Sequence, residues 1–477
     1  MMGPERRISD RAVVVTAMLG GVLAPLNSTM IVVALPAILQ DLGASLTWGT
    51  WIIISYLVAM AAVQPLGGSL GDRYGRRRLF LLGLGGFLVA TVVAAFAWSV
   101  EALIVARVVQ AITGATAIPN GTAMVRTLVS ATGQGRAFGL IGAGIGVAAA
   151  LGPPLGGIIA EALGWRWIFA ANLVVLVPGI VLALRLPRHG ATRIAGRFDL
   201  PGAALLLSAL VTLALAATLW RVPGMSWTTT AALAVVGTAA AFVLHRHVGR
   251  VSAPILDLTL LRRPGYLSAG LTVLATNMTM YTIMLAVPVF LTQVVSWGAR
   301  DIGLLLAGMS VLMMVFGPVG GWLSDRVGRR TPAMAGALLA ALGTVPLLWI
   351  DADWSWPAYL FPLVVVGMGI GLAAAPVQAA AMQVARAGEA GQAAGLFSTM
   401  RYLGSIIGSA GMAAILGEAA GVGAFRGLFA VLVVAAGAAL WSSSRLPRGV
   451  LGAGAGEDDD GASSPASSSR ASAGRGT

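Results

Sequence analysis

Apolar runs of about 20 residues, broken by short polar turns, recur from one end of the chain to the other, and each is long enough to cross a ~30 Å hydrocarbon layer. The pattern predicts fourteen spans, at 13–37, 47–70, 79–98, 102–124, 137–160, 166–185, 200–220, 228–245, 267–293, 302–324, 332–350, 357–383, 393–416 and 425–444. A transmembrane barrel would show alternating segments of about ten residues instead. The expected fold class is therefore an all-α polytopic membrane protein. Composition agrees: 57% of the 477 residues are hydrophobic and 10% charged, where soluble domains carry about 25% charged residues.

Charge adds sidedness. All 31 basic residues are arginine. The N-terminus, the even-numbered connections and the C-terminal tail hold 25 of them, and the odd-numbered connections hold four, Arg166, Arg221, Arg300 and Arg426. Arg107 and Arg401 fall inside spans. By the positive-inside rule both termini are cytoplasmic. The first apolar run follows basic residues, as in a signal peptide. It is too long for one and lacks a small-x-small cleavage site, so it reads as a retained first span. The net charge of +13 reflects this loop bias and implies no nucleic-acid partner. There is no cysteine, which excludes disulfides and thiolate metal sites.

The pattern P-x-G-G-x-L-x-D-R-x-G-R-R occurs twice, 253 residues apart. One copy runs from Pro65 through Asp72, Arg73, Gly75 and Arg76 to Arg77, the other from Pro318 through Asp325, Arg326, Gly328 and Arg329 to Arg330. A repeat of this kind sets the architecture, and in a membrane protein it points to two related halves. Both copies fall on the arginine-rich side, after spans 2 and 10. Eight spans separate them, so the halves run parallel, with two extra spans between. The expected organisation is an N-terminal segment 1–12, a six-helix bundle 13–185, a connection 186–265 with two inserted spans, a second bundle 266–445, and a disordered tail 446–477 rich in Gly, Ser and acidic residues.

On these motifs the chain resembles the major facilitator superfamily, in its fourteen-span drug:proton antiporter branch. G-S-L-G-D-R-Y-G-R-R-R (68–78) is similar to that family's cytoplasmic loop, R-V-V-Q-A-I-T-G-A (107–115) to its span-4 motif, and G-P-P-L-G-G (152–157) to its span-5 antiporter motif. L-N-S-T-M-I-V-V-A-L-P (26–36) and W-R-W-I-F-A-A-N (165–172) are typical of the branch. The resemblance implies two bundles rocking about a central site. It also implies that the loops gate the cytoplasmic side, with Asp72 and Asp325 latching against arginines or a helix N-terminus in the outward-facing state. Simple positive-inside anchoring is the other reading of those arginines.

Four residues stand out inside the spans. Arg107 is about six residues in from the end of span 4, or ~9 Å, where a charge costs ~2.5–3.5 kcal/mol at mid-helix on insertion scales. It either snorkels to the outer surface or faces a cavity, to bind an anionic group or tune a carboxylate. Gln110 lies on the same helix face, and Ala111 replaces the glycine usual after it. Asn27 stands where the branch usually has aspartate. An amide hydrogen-bonds but carries no proton, and none of the 18 acidic residues falls in mid-span. Any proton coupling then needs a peripheral carboxylate such as Glu101, Asp301 or Asp72. Arg401 lies about a third of the way into span 13. In span 5, Gly152, Pro153, Pro154 and Gly156 suit a bent, closely packed helix, or generic helix packing. Gln64, Asn120, Asn277, Gln378, Gln383 and Tyr281, with Met278, Met280 and Met284, are candidate cavity residues. His245 and His247 have no third ligand in view, so no metal is expected.

These features imply a secondary active transporter of the bacterial inner membrane that exports small apolar or amphipathic compounds, coupled to protons. The expected partners are a small-molecule substrate, protons and lipid, with the chain a monomer. No Walker loop, nucleophile–base pair or cofactor motif is present, so it is not read as an enzyme. Uptake or facilitated diffusion of a metabolite remains open because of Asn27, as does a transport-inactive sensor or scaffold.

Overall fold

The computed structural model describes residues 10–129, 131–187, 199–219, 225–251, 254, 258–384, 390–416 and 420–447. The expectation of a disordered tail falls almost wholly outside them. Helices occur at all fourteen expected places: α1 (Asp10–Leu42), α2 (Leu46–Tyr74), α3 (Arg76–Ala95), α4 (Val100–Leu128), α5 (Ala131–Ala162), then α6 (Trp167–Ala171) and α7 (Leu173–Arg185), which together make one span. After them come α8 (Leu200–Leu219), α9 (Trp227–Val248), α10 (Pro264–Gln293), α11 (Ala299–Val327), α12 (Arg330–Thr344), α13 (Trp356–Gln383), α14 (Ala390–Leu416) and α15 (Val422–Ser443). Among the described residues twelve helical segments are long and apolar enough to cross a membrane, and α2 contributes a shorter apolar stretch, Trp48–Gln64. The chain is an integral membrane protein, its backbone polar groups satisfied within helices as a lipid environment demands.

The repeat seen in the sequence is repeated in the packing. A Cβ on Gly67 would meet the Ala115 carbonyl at 2.7 Å and the Thr116 Cα at 2.8 Å, bringing α2 against α4 backbone to backbone. In the second half Gly320 brings α11 against Leu372 of α13 in the same way. Gly83 lies against Thr113 and Ala117, and Gly336 against Gly369 and Ala373. Such contacts exist only where no side chain intervenes. Both repeat loops turn at a glycine with positive φ, Gly75 at 95° and Gly328 at 81°, a conformation that side chains disfavour.

The halves meet along two seams, α2 with α14 and α5 with α11, and α1 touches α10 at the centre. At the α5–α11 seam, a Cβ on Gly157 would meet the Ala299 carbonyl at 2.8 Å and the Gly303 Cα at 2.9 Å. The inserted helix α8 packs against both α2 and α14, where Trp51 Nε1 donates to Thr218 Oγ1 at 3.1 Å. It therefore covers one seam. α9 packs on α8 and is otherwise largely exposed. His247 Nε2 lies 2.6 Å from Asp199 Oδ1, which also caps α8 by accepting from Gly202 N at 2.9 Å. This pairing ties the ends of the inserted helices together.

Burial differs between the two ends of the bundle. Away from the repeat loops, residues 26–35 of α1, 49–62 of α2 and 281–291 of α10 are buried without a break. Helices buried on every side leave no water-filled opening there. Toward the loops, α1 and α10 each carry a partly exposed stripe, at Met18, Val22 and Pro25 and at Leu271, Leu274 and Met278.

Candidate functional site

Polar residues from α1, α3, α4 and the junction of α6 and α7 converge in the closed part of the bundle. Arg107 on α4 is 0% exposed. Its guanidinium turns into the bundle instead of snorkelling outward. Nε donates to the Ile52 carbonyl at 3.4 Å, Nη1 to Gln110 Oε1 at 3.2 Å, and the group stacks 4.0 Å from the Tyr56 ring centroid. Gln110 Oε1 also accepts from Asn27 Nδ2 at 3.3 Å, while Gln110 Nε2 donates to Thr91 Oγ1 at 2.8 Å. Asn172, at the junction of α6 and α7, donates through Nδ2 to Asn27 Oδ1 at 3.2 Å. The result is a chain of amides ending on one arginine, in surroundings where hydrogen bonds are strengthened and unpaired groups are costly.

The network lies beside the axis relating the halves. Ser28 Oγ and Tyr281 Oη are 3.3 Å apart and separated in sequence by 253 residues, the repeat offset itself. Two residues at equivalent places can touch only close to the pseudo-twofold axis. Arg107 and Arg401 both lie within electrostatic range of Tyr281. Arg401 is half-buried on α14, with its guanidinium 5.3 Å from the Tyr402 ring centroid. No described carboxylate pairs with either arginine. The only acidic side chain buried among the described residues is Asp199, far along the chain on the inserted pair.

The sequence model of the Major Facilitator Superfamily matches residues 17–409. The chain belongs to that superfamily. It is 32% identical to the uncharacterised MFS-type transporter YvkA of Bacillus subtilis, across 89% of this chain and 94% of that protein. It is 31% identical to the multidrug resistance protein Stp of Mycobacterium tuberculosis, across 82% of this chain and 73% of Stp. With the tetracenomycin C resistance and export protein of Streptomyces glaucescens it shares 31% identity, across 84% and 75% of the two chains.

In this major facilitator transporter the repeat loops tie neighbouring helices together. Arg76 Nη1 donates to the Ala123 carbonyl of α4 at 2.9 Å, and Arg77 to the Ala183 and Leu184 carbonyls that end α7. Its counterpart Arg329 donates to the Ala379 carbonyl of α13 at 2.7 Å and to Gln383 Oε1. Burial holds the Arg329 pKa below the ordinary guanidinium value, and Asp325 opposes the shift. Asp325 and Arg326 are exposed, the latter stacked 4.2 Å from the Trp322 ring centroid. The side chains of Asp72 and Arg73 lie outside the described residues.

Of the span-5 residues, Gly152 faces Thr29 and Gly156 faces Met30 of α1. They seat α5 within its own half, while the adjacent Gly157 makes the contact across the seam. The helix continues through Pro153 and Pro154. Asn120 donates to the Gly67 and Thr116 carbonyls at 2.8 and 2.7 Å and so fastens α2 to α4. Gln64 and Met284 are buried, and Gln378 and Gln383 are exposed. No metal-holding cluster occurs among the described residues, and His247 is engaged with Asp199. A groove lined by Val327, Met334, Leu338 and Leu440 lies on the flank of α12 and α15, away from the polar centre.

Sequence reasoning missed two arrangements. Asn172 entered only as the last residue of the W-R-W-I-F-A-A-N run and Thr91 not at all, because their roles depend on which helix faces lie opposite. The other is a tie repeated at the closed end. Arg166 pairs with Asp41 at 2.7 Å and donates to the Ala97 carbonyl, while Arg426 pairs with Asp351 at 2.7 Å and donates to the Ile350 carbonyl. The scarcity of arginine in the odd-numbered connections was the available clue: two of the four hold these ties.

Proposed function

We propose that this transporter is a secondary active exporter of small apolar or amphipathic compounds, working by alternating access across a bacterial plasma membrane with both termini cytoplasmic. The observation that carries the reading is the contrast along the bundle axis: a continuously buried end, a polar centre beside the pseudo-twofold axis, and a looser end at the repeat loops. On this reading the continuously buried end is the outer side, the looser end is the inner one, and the exposed Asp325 belongs to an open cytoplasmic gate. In the outward-facing state Asp72 and Asp325 close against basic groups or helix ends around Arg73, Arg76, Arg326 and Arg329. The halves then pivot on the two seams, one of them lined by Gly157 and Gly303. The export direction draws on the relatives whose names record resistance and export.

Proton coupling on this reading runs through peripheral carboxylates, Asp72, Asp325, Glu101 or Asp301, because the centre offers an amide at Asn27. The same amide favours a second reading, facilitated movement without protons. The test has two parts. A drug-sensitive bacterial host carrying the chain is profiled against a broad antibiotic panel, with raised tolerance to a subset expected. Purified protein in liposomes under an imposed pH gradient is then given the compounds so identified. Substrate-dependent proton flux supports coupling, and transport without it selects facilitated movement. An unchanged susceptibility profile at full expression counts against export.

A further inference from the structure

The polar centre carries positive charge that no described carboxylate neutralises. Arg107 has five N–H donors, yet Nη2 is fully buried and meets no acceptor. Its neighbours are neutral: an amide at Gln110, the Tyr56 ring and a backbone carbonyl. Asn27, which reaches the same Gln110 oxygen, is an amide and brings no negative charge to the guanidinium. Arg401 supplies a second cation from the other half, and Tyr281 on the axis lies within range of both. Buried charges are ordinarily paired, because desolvation is costly without a counter-charge. A buried arginine short of an acceptor, backed by a second arginine and walled by tyrosine rings, is built to receive a ligand that brings the missing negative charge.

We infer that the substrate of this site is an aromatic organic anion, whose carboxylate or phenolate is held by Arg107 and whose ring stacks among Tyr56, Tyr281 and Tyr402. The inference rests on the transport reading above and narrows its substrate class. Arg401, half-buried, meets the anion from the loop side. Arg107 takes it as the halves rearrange. Tyrosine faces serve both a flat ring system and the guanidinium groups. Asn27 keeps the centre free of a competing carboxylate, so one substitution at this position reverses the preference.

Binding of two xanthene dyes of similar size, anionic fluorescein and cationic rhodamine 6G, to the purified full chain in detergent tests this by fluorescence polarisation. Wild-type protein is expected to bind fluorescein at least ten-fold more tightly than rhodamine 6G. Asn27→Asp, which supplies Arg107 with an internal partner, reverses the order. Arg107→Gln, which keeps hydrogen bonding and removes charge, abolishes the preference. Size-exclusion profiles confirm that each variant is folded, and Asn27→Asp carries the test if Arg107→Gln is not. Equal affinity for both dyes, including none for either, overturns the inference, as does an unchanged preference in folded Asn27→Asp. Anion preference in a chain that exports nothing keeps this inference and sinks the export reading. Export of cationic compounds by a chain with no anion preference sinks this inference and leaves export standing.

Discussion

The two halves of the transporter share their scaffold and differ at its centre. The matched contacts of Gly67 with Gly320 and of Gly83 with Gly336 align α4 with α13. On that alignment Arg107 corresponds to Leu363 and Gln110 to Val366, both buried. The repeat offset pairs Asn27 with Met280, and the closed-end ties of Arg166 and Arg426 align Asn172 with the buried Leu432. Arg107, Gln110, Asn27 and Asn172 thus have apolar counterparts in the C half, only Thr91 falling at the place of another threonine, Thr344, and the C half contributes Arg401 from a different helix. Close packing and the tight repeat turns impose the same geometric demand on both halves, so glycine and arginine recur in register. On the proposed reading a binding centre need be built only once.

Exchanging residues between the halves breaks this comparison most severely at Leu363. Leu363→Arg buries a charge with no amide network to receive it, at a cost of several kcal/mol, and the yield of folded protein in detergent should collapse. Arg107→Leu makes the N half resemble the C half. It should cut transport by ten-fold or more while leaving the apparent Tm unchanged or raised, since it removes the desolvation cost of a buried charge that has no ionic partner among the described residues. A clear fall in Tm would show that Arg107 is structural. Gly67→Val and Gly320→Val sharpen the shared part. Each forces a side chain against backbone and should cost about 1–3 kcal/mol, with closely matched Tm losses; a large mismatch would break the equivalence. The smallest effect belongs to the closed-end ties. Their ion pairs are 42–46% exposed, so Asp41→Asn and Asp351→Asn should each cost under about 1 kcal/mol, and the loss should shrink further at high salt.

The spans show where sequence reading succeeds. Among the described residues α14 falls short of the hydropathy of the twelve apolar spans, yet the spacing of turns placed it. It meets α2 across one seam, where protein instead of lipid covers part of its surface, so polar and small residues are tolerated. The candidate site was less legible. Arg107 and Gln110 declared themselves through charge and helical spacing. Asn172 did not, because 145 residues separate it from Asn27 and nothing local marks the face it shares.

By itself the sequence determined the fourteen helices, the pairing of two parallel halves and the asymmetry of arginine between the two sides. Those properties are local: each span must satisfy its own backbone in lipid, and each turn must stay where its charges are solvated. Only the tertiary structure decided that the inserted α8 covers the α2–α14 seam, that the network gathers on one side of the pseudo-twofold axis, and that Arg107 stands buried with no described carboxylate paired to it. These depend on how each helix is rotated and tilted against its neighbours. Interlocking glycines and side chains from distant spans set that rotation, and the hydropathy of a single span does not encode it.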